Sequence, residues 1–259
     1  MYVYLLKELS KNKTRRNKMD ELVKYEGFEI VDPKIIKENI SENFEGLTPS
    51  FITIKIPTGG STVFEIDEET AKSVEGIIVD HYAIRILYME KFGAGEKHPP
   101  VCKSTNGVAG EGMCEENGEA GCVCVDCDYN QWGSFKEFID NTDDSNKKAC
   151  QEKHRIFMLR SGELLPVLLP LPATSLEPLK LYMTKIAQKG KHYSTVITKI
   201  SLEKATSKNG LVYAKAVLQK LGDIPEDKTK EIMSLKKFLK PYCRNKPIEA
   251  QEGTEEEAF

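Results

Sequence analysis

Six of the seven cysteines of this 259-residue chain lie between Cys102 and Cys150, and only Cys243 stands apart. Cys124-Val125-Asp126-Cys127 is a C-x2-C motif, a spacing that puts two thiolates on one ion at about 2.3 Å from zinc. A second pair must come from farther away. Cys102 lies 22 positions before Cys124 and Cys150 lies 23 positions after Cys127, which makes Cys102, Cys124, Cys127 and Cys150 a four-thiolate set. A Cys3His set is also open, because Cys150 and His154 are four apart and would share a helix face. Cys114 and Cys122 are spare, with Cys122 the reserve ligand.

The segment around those cysteines gives a reason for a metal. Residues 93–146 are rich in Gly, Cys, Asn and Asp and poor in aliphatics, so they cannot build a core of their own. Ordering about fifty such residues costs more entropy than their few apolar groups offset, whereas structural zinc contributes on the order of ten kcal/mol. Four thiolates leave no open coordination position, so the expected zinc is structural rather than hydrolytic. Clustered cysteines without a secretion signal read as ligands rather than disulfides.

A second chemistry follows the cysteines. Residues 151–220 hold 12 Lys or Arg against 4 Asp or Glu, while residues 66–150 hold 17 acids and 8 bases. Such segregation points to a polyanionic partner. YSTVITKISLEKA and LVYAKAVLQKL flank Asn209-Gly210, a strong hairpin signal. A two-residue turn there sets Lys204 opposite Lys215, Thr206 opposite Tyr213 and Lys199 opposite Lys220. Like charges face to face destabilise a sheet and make sense if an anion neutralises them. Arg155, Phe157 and Arg160 mix cation and ring on an earlier strand, as do Lys191 and Tyr193 before the hairpin. Cations that track phosphates and rings on which bases stack, at about 1–3 kcal/mol each, are what a single-stranded nucleic acid site needs. Trp132, the only tryptophan, either packs the cysteine-rich loop onto the fold or offers such a ring itself.

The elements that carry these groups read as mainly β with helices (α+β). RIFMLR and ELLPVLL flank Ser161-Gly162 as a hairpin, FITIKIP and residues 76–88 read as strands, and residues 175–188 and 225–240 as helices. Strands in short hairpins, a helix between them and one loop-rich insertion suggest an OB-fold-like small barrel with a zinc-binding insertion. The expected division is a basic arm with helices at 1–43, an OB-like core at 44–221 with its insertion at about 93–150, a C-terminal helix at 222–245 and an acidic disordered tail at 246–259. Glu249, Glu252, Glu255, Glu256, Glu257 and a final Phe259 mark that tail. Glu255, Glu256, Glu257 and Phe259 are its expected partner-binding residues. Hydrophobic residues at 40% suffice for a core, while no apolar run reaches a membrane span. The apolar residues of the N-terminus precede its charges, the reverse of a secretory signal, so a cytoplasmic protein is expected. No P-loop, H-E-x-x-H, G-x-S-x-G or G-x-G-x-x-G is present, which leaves an enzyme without support.

A zinc-bearing insertion, a basic hairpin with aromatics and an acidic tail ending in Phe together resemble the zinc-containing helix-destabilising, single-stranded DNA-binding proteins of tailed phages and mobile elements. FEGLTPSF at 44–51, the C-x2-C…N-x-W-G-S…A-C pattern at 124–150 and LRSGELLPVLLPLPATSL at 159–176 look like a set of prophage and conjugative-element proteins. By that pattern the ligands are Cys102, Cys124, Cys127 and Cys150, with Cys114 and Cys122 departing from it. The zinc-bearing phage type uses a His among its ligands, which keeps His154 in reserve. The resemblance implies a non-enzymatic protein that coats single-stranded DNA in replication or recombination in a bacterial host cell. Arg155, Arg160, Lys191, Lys199, Lys204 and Lys215 would capture phosphates and Phe157, Tyr193 and Tyr213 would stack bases. Structural Zn2+ would stiffen the insertion, and the tail would regulate binding and recruit replication or recombination proteins, with oligomers forming on DNA. The rival expectation is a zinc-ribbon module that binds a polymerase or another protein without touching DNA.

Overall fold

The structure, a computed structural model, describes residues 28–57, 59–89, 99–112, 122–143, 146–207 and 210–248. The acidic run from Glu249 to Phe259 lies outside them. The fold is α+β with most of its regular structure in antiparallel strands. No helix among the described residues is long and apolar enough to cross a membrane.

One strand organises the rest. β4 (Ser73–Leu87) is 15 residues long and carries a near-continuous apolar run, the pattern of a strand buried on both faces. Along one edge it pairs with β8 (Cys150–Arg160) from Gly76 to Leu87. Along the other, its first part pairs with β10 (Val196–Thr206) and its last part with β5 (Cys102–Ser104). β8 turns at Ser161-Gly162 into β9 (Val167–Leu171), and β10 turns back into β11 (Val212–Asp223). The resulting run is β9-β8-β4-β10-β11. A helix, α3 (Leu176–Gln188), connects β9 to β10 and buries Leu179, Tyr182 and Ile186 beneath the sheet. Short strands β6 (Ala109–Gly112) and β7 (Cys122–Val123) extend the β5 edge, and a short helix, α2 (Ser134–Phe138), follows them before β8.

The sheet does not close into the expected barrel. Among the described residues no ladder joins β9 to β11. A separate three-stranded sheet stands in that gap, made of β1 (Ile54–Lys55), β2 (Phe64–Ile66) and β3 (Glu69–Ala71). Its Ile54, Ile56, Phe64 and Ile66 fill the same core as Val74, Ile156, Leu169 and Ile200. Thr53 bridges to Leu168 of β9, and Gly60 lies against Lys204 and Val212 at the other side of the gap.

A bulge in β4 assigns the two faces. Ile78 sits opposite Met158 and Asp80 opposite Phe157, so Val79 is an extra residue. An inserted residue exchanges the faces that follow it. Before the bulge Val74 and Ile78 point into the inner core. After it Val79, Tyr82, Ile84 and Ile86 join a second core with Phe157, Leu159 and Leu168. Two helices cover that second core. α1 (Pro33–Asn43) starts at Asp32, whose carboxylate accepts the Lys34 N–H at 2.9 Å, and Pro33 suits its first position. α4 (Glu226–Arg244) has Glu226 and Asp227 in its first turn and Arg244 in its last, as the helix dipole favours. They contribute Ile36, Ile40, Leu235, Leu239 and Cys243.

Gly76 marks the closest backbone approach. A Cβ there would sit 2.5 Å from the Leu159 carbonyl oxygen and 2.5 Å from Met158 Cγ. Gly76→Ala is expected to destabilise the fold by about 1–3 kcal/mol through overpacking, read as a lower urea midpoint. An unchanged midpoint would mean that β4 and β8 separate at no cost.

Candidate metal centre and nucleic-acid interface

The register brings the distant cysteines together. Leu87, at the end of β4, pairs with Cys102 on one side and Cys150 on the other. Cys124 and Cys127 sit on a turn laid over this end of the sheet. The Cys124 N–H donates to the Val108 carbonyl at 2.7 Å, and the Asp126 N–H donates to Val123 at 3.1 Å. Asn130, 5% exposed, donates from Nδ2 to the Cys124 carbonyl at 2.6 Å and accepts at Oδ1 from Arg85 at 2.5 Å. Arg85 also donates to the Gly107 carbonyl and pairs with Glu152 at 2.9 Å. The turn is therefore fixed to β4 and β8 by hydrogen bonds, with little apolar packing.

Cys102, Cys124, Cys127 and Cys150 line one cavity of about 10 Å³, together with Arg85, Leu87, Lys103, Ser104, Tyr129 and Asn130. That is the space of roughly one water-sized sphere. Burial pushes the Cys150 thiol up to about 12, against the pull of Arg85, and the other three cysteines add to the rise. All four are thiols rather than disulfides. No three His, Cys, Asp or Glu among the described residues already stand in metal-holding geometry, so an ion would have to draw these sulfurs inward. Cys122 lies opposite Gly110 in β7. His154 is not among the lining residues; its Nε2 stands 2.8 Å from His81 Nδ1. Trp132 does not pack the loop down: it is 70% exposed, with Lys148 Nζ 5.2 Å from its ring centre.

The predicted nucleic-acid residues divide sharply. Arg155 and Phe157 have no exposed surface. Their strand face lies under α4, and Arg155 donates to the Tyr82 hydroxyl and to the Lys246 and Pro247 carbonyls. Neither can meet a strand from outside this fold. Arg160 is bound to Glu163, Lys191 to Asp223 and Lys199 to Glu75. Tyr193 packs against His81 and His192 under Lys236. The side chains of Lys204, Tyr213 and Lys215 have no hydrogen-bond or ion-pair partner among the described residues.

The like-charge pairs do not form. Lys204 faces Ala214, Lys215 faces Glu203, Tyr213 faces Ala205 and Lys199 faces Gln219. The first strand of the hairpin leaves the ladder one residue earlier than expected. Ser207 N–H donates to the Leu211 carbonyl at 2.8 Å, and Gly210, at φ +80°, donates to Ser207. A three-residue loop with its last residue left-handed replaces the two-residue turn and moves the register by one.

Three of the four histidines share a site that sequence reading scattered. His81 meets His154, Tyr193 lies beside His81 and His192, and Lys236 Nζ stands 3.1 Å from His192 Nε2. Asp80, next to the bulge, takes two hydrogen bonds from Arg244, at 2.6 and 3.0 Å. The i and i+73 spacing of His81 and His154 carries no local signal; only their position on adjacent strands unites them.

Neither a family model nor a curated protein nor a solved structure matches this chain. What the chain does must be argued from its own geometry.

Burial, the neighbouring His81 and Arg244 hold His154 down to about 4 from an ordinary 6.5. Between those values the unfolded chain binds a proton that the folded one refuses, so stability falls as pH drops from 6.5 toward 4. The thermal midpoint of the wild type should fall across that window more steeply than that of His154→Gln. Parallel curves for the two proteins would show that this pair does not set the response.

Proposed function

We propose that this chain binds single-stranded DNA, as a coating protein of a phage or mobile element rather than an enzyme, with structural zinc in its insertion. The observation that carries this reading is the strand order β9-β8-β4-β10-β11 with α3 between β9 and β10. Counting those five strands along the chain, the order is third, second, first, fourth, fifth. That is the order of an OB-fold, a five-stranded Greek-key barrel that is often partly open and binds oligonucleotides. The gap filled by β1–β3 lies at its closing seam. The cysteine-bearing insertion occupies the first connection, and the β10–β11 tip the last, the two loops that such folds use on nucleic acid.

Zinc fits the donor set. Four thiols line one ion-sized cavity, burial holds the Cys150 thiol protonated, and a bound ion would deprotonate its thiol ligands outright. Arg85 and Lys103 beside them would balance the excess negative charge. Of the expected DNA-binding residues, Lys204, Lys215 and Tyr213 on the β10–β11 end would be the ones to meet a strand. The acidic residues from Glu249 onward would compete with phosphates until displaced, and Glu255, Glu256, Glu257 and Phe259 would then dock on replication or recombination proteins.

A second reading has its own observation. Val108, Val123, Val125 and Trp132 of the insertion are each more than half exposed, and an exposed apolar patch commonly marks a protein contact. A zinc module that binds a polymerase would use that face and leave DNA alone.

Fluorescence anisotropy of labelled oligo-dT, beside the matching duplex and at two salt concentrations, separates the two. We expect tight, salt-sensitive binding to the single strand, weakened by Lys204→Glu/Lys215→Glu and tightened at low salt by removal of residues 249–259. Absence of binding at low salt from zinc-loaded protein would overturn the DNA reading in favour of the protein module. For the metal, elemental analysis should find about one zinc per chain, and Cys127→Ser should lose it with a lower thermal midpoint. Metal-free protein with an unchanged midpoint would refute the centre.

A further inference from the structure

The surface that an OB-type fold offers to a strand lies on the outside of its second and third strands, here β8 and β9. In this chain that face is roofed by α1 and α4, which is why Arg155 and Phe157 are buried. A nucleic acid approaching from that side meets the roof instead. The roof has the chemistry that the covered strands lack.

From Ile232 to Ile248 the chain carries Lys236, Lys237, Lys240, Arg244 and Lys246 and no acid. The acids of α4, Glu226, Asp227 and Glu231, all lie in its first two turns, where Glu231 is occupied by Lys228 at 3.1 Å. Arg244 and Lys236 point inward, to Asp80 and to His192. Lys230, Lys237 and Lys240 are exposed, and none has an ion-pair or hydrogen-bond partner among the described residues. They are spread over roughly 15 Å of helix axis at 1.5 Å per residue. Rings lie alongside. Phe238 and Tyr242, one helical turn apart with centroids 5.5 Å apart, are half-buried where α4 meets α1. From α1, Lys37 donates to the Ser234 hydroxyl at 3.0 Å and holds its ammonium 5.7 Å from the Phe238 ring centre.

Resting on the single-strand reading above, we infer that the outer face of α4, with Lys37 of α1, is a second nucleic-acid contact surface. Lys230, Lys237 and Lys240 take phosphates there, and Phe238 and Tyr242 offer their exposed edges to bases. From Ile232 onward the helix carries no acid, so a phosphate chain meets no fixed repulsion at Lys237 and Lys240, while Lys230 lies beside Glu226, Asp227 and Glu231 of the first two turns. The acidic residues begin at Glu249, one position beyond Ile248.

The test is anisotropy of labelled oligo-dT over a salt series, with the full-length protein, the triple variant Lys230→Glu/Lys237→Glu/Lys240→Glu, and the hairpin variant Lys204→Glu/Lys215→Glu. The triple variant should bind at least about tenfold more weakly at low salt. Its slope of log affinity against log salt should be shallower by about 2, at roughly 0.7 per phosphate contact on a single strand. The three side chains are exposed, so its thermal midpoint should match the wild type. If the midpoint drops, the corresponding Lys→Gln triple, which removes charge without adding repulsion, must reproduce the change in slope. Unchanged affinity and slope in the triple variant, with the hairpin variant weakened, would overturn this surface and leave the single-strand reading intact. Absence of wild-type binding would overturn both.

Discussion

The constraint on which this structure depends is the exchange of faces within β4. Without Val79 as an extra residue, Tyr82, Ile84 and Ile86 would point into the inner core, and the outer face would have nothing to hold α1 and α4. With it, the inner side of β4 and its partner β8 changes character along its length. Val74, Ile78, Ile156 and Met158 are apolar; then come His81 and His154, Arg85 and Glu152, and finally Leu87 between Cys102 and Cys150. One continuous surface passes from oil-like packing through paired imidazoles and an ion pair to the thiols. Each step trades apolar burial for fixed polar geometry, which is why the far end needs something other than hydrophobicity to hold it.

Polar contacts of unusual directness hold the roof to the sheet. Asp80 is 2% exposed and receives two hydrogen bonds from Arg244, whose guanidinium also lies 4.3 Å from the Tyr82 ring centre. Arg155 reaches the backbone just past the end of α4. Removing one partner from such a buried contact leaves the other uncompensated, and that asymmetry locks the position of the helix more firmly than the same area of apolar contact would. The end of α4 is held by directional bonds at Asp80, Tyr82 and Arg155, while the side chains of Lys230, Lys237 and Lys240 on its outer face have no partner among the described residues.

Much of this was legible in the residues, and the misses have definite causes. Hairpins at Ser161-Gly162 and near Gly210 and the helix after Ser175 follow from local turn and capping chemistry, whereas Cys102 and Cys150 join the Cys124/Cys127 pair around one cavity through the register of β4 with β5 and β8. The register of β10 and β11 was not legible, because a loop one residue longer uses the same Gly in the same left-handed conformation. Arg155 and Phe157 looked like a cation beside a ring; whether their strand face meets water is decided by a helix some 70 residues later in the chain. The histidine group had no sequence signature at all. The lysines of α4 from Lys236 onward lie in a stretch without acids, and they acquire meaning only because the helix covers the strands.

The way the gap between β9 and β11 is filled has a consequence for how the molecule forms. β1, β2 and β3 are made early, but the core they complete is finished only when β9 through β11 exist, and the one bridge that ties them in runs from Thr53 to Leu168. Contacts across such sequence distances carry a large loop-closure cost and slow the final search. During synthesis Ile54, Ile56, Phe64 and Ile66 therefore wait without their partners, as sticky as any unpaired apolar hairpin. Closing the seam joins residues more than a hundred positions apart in the chain.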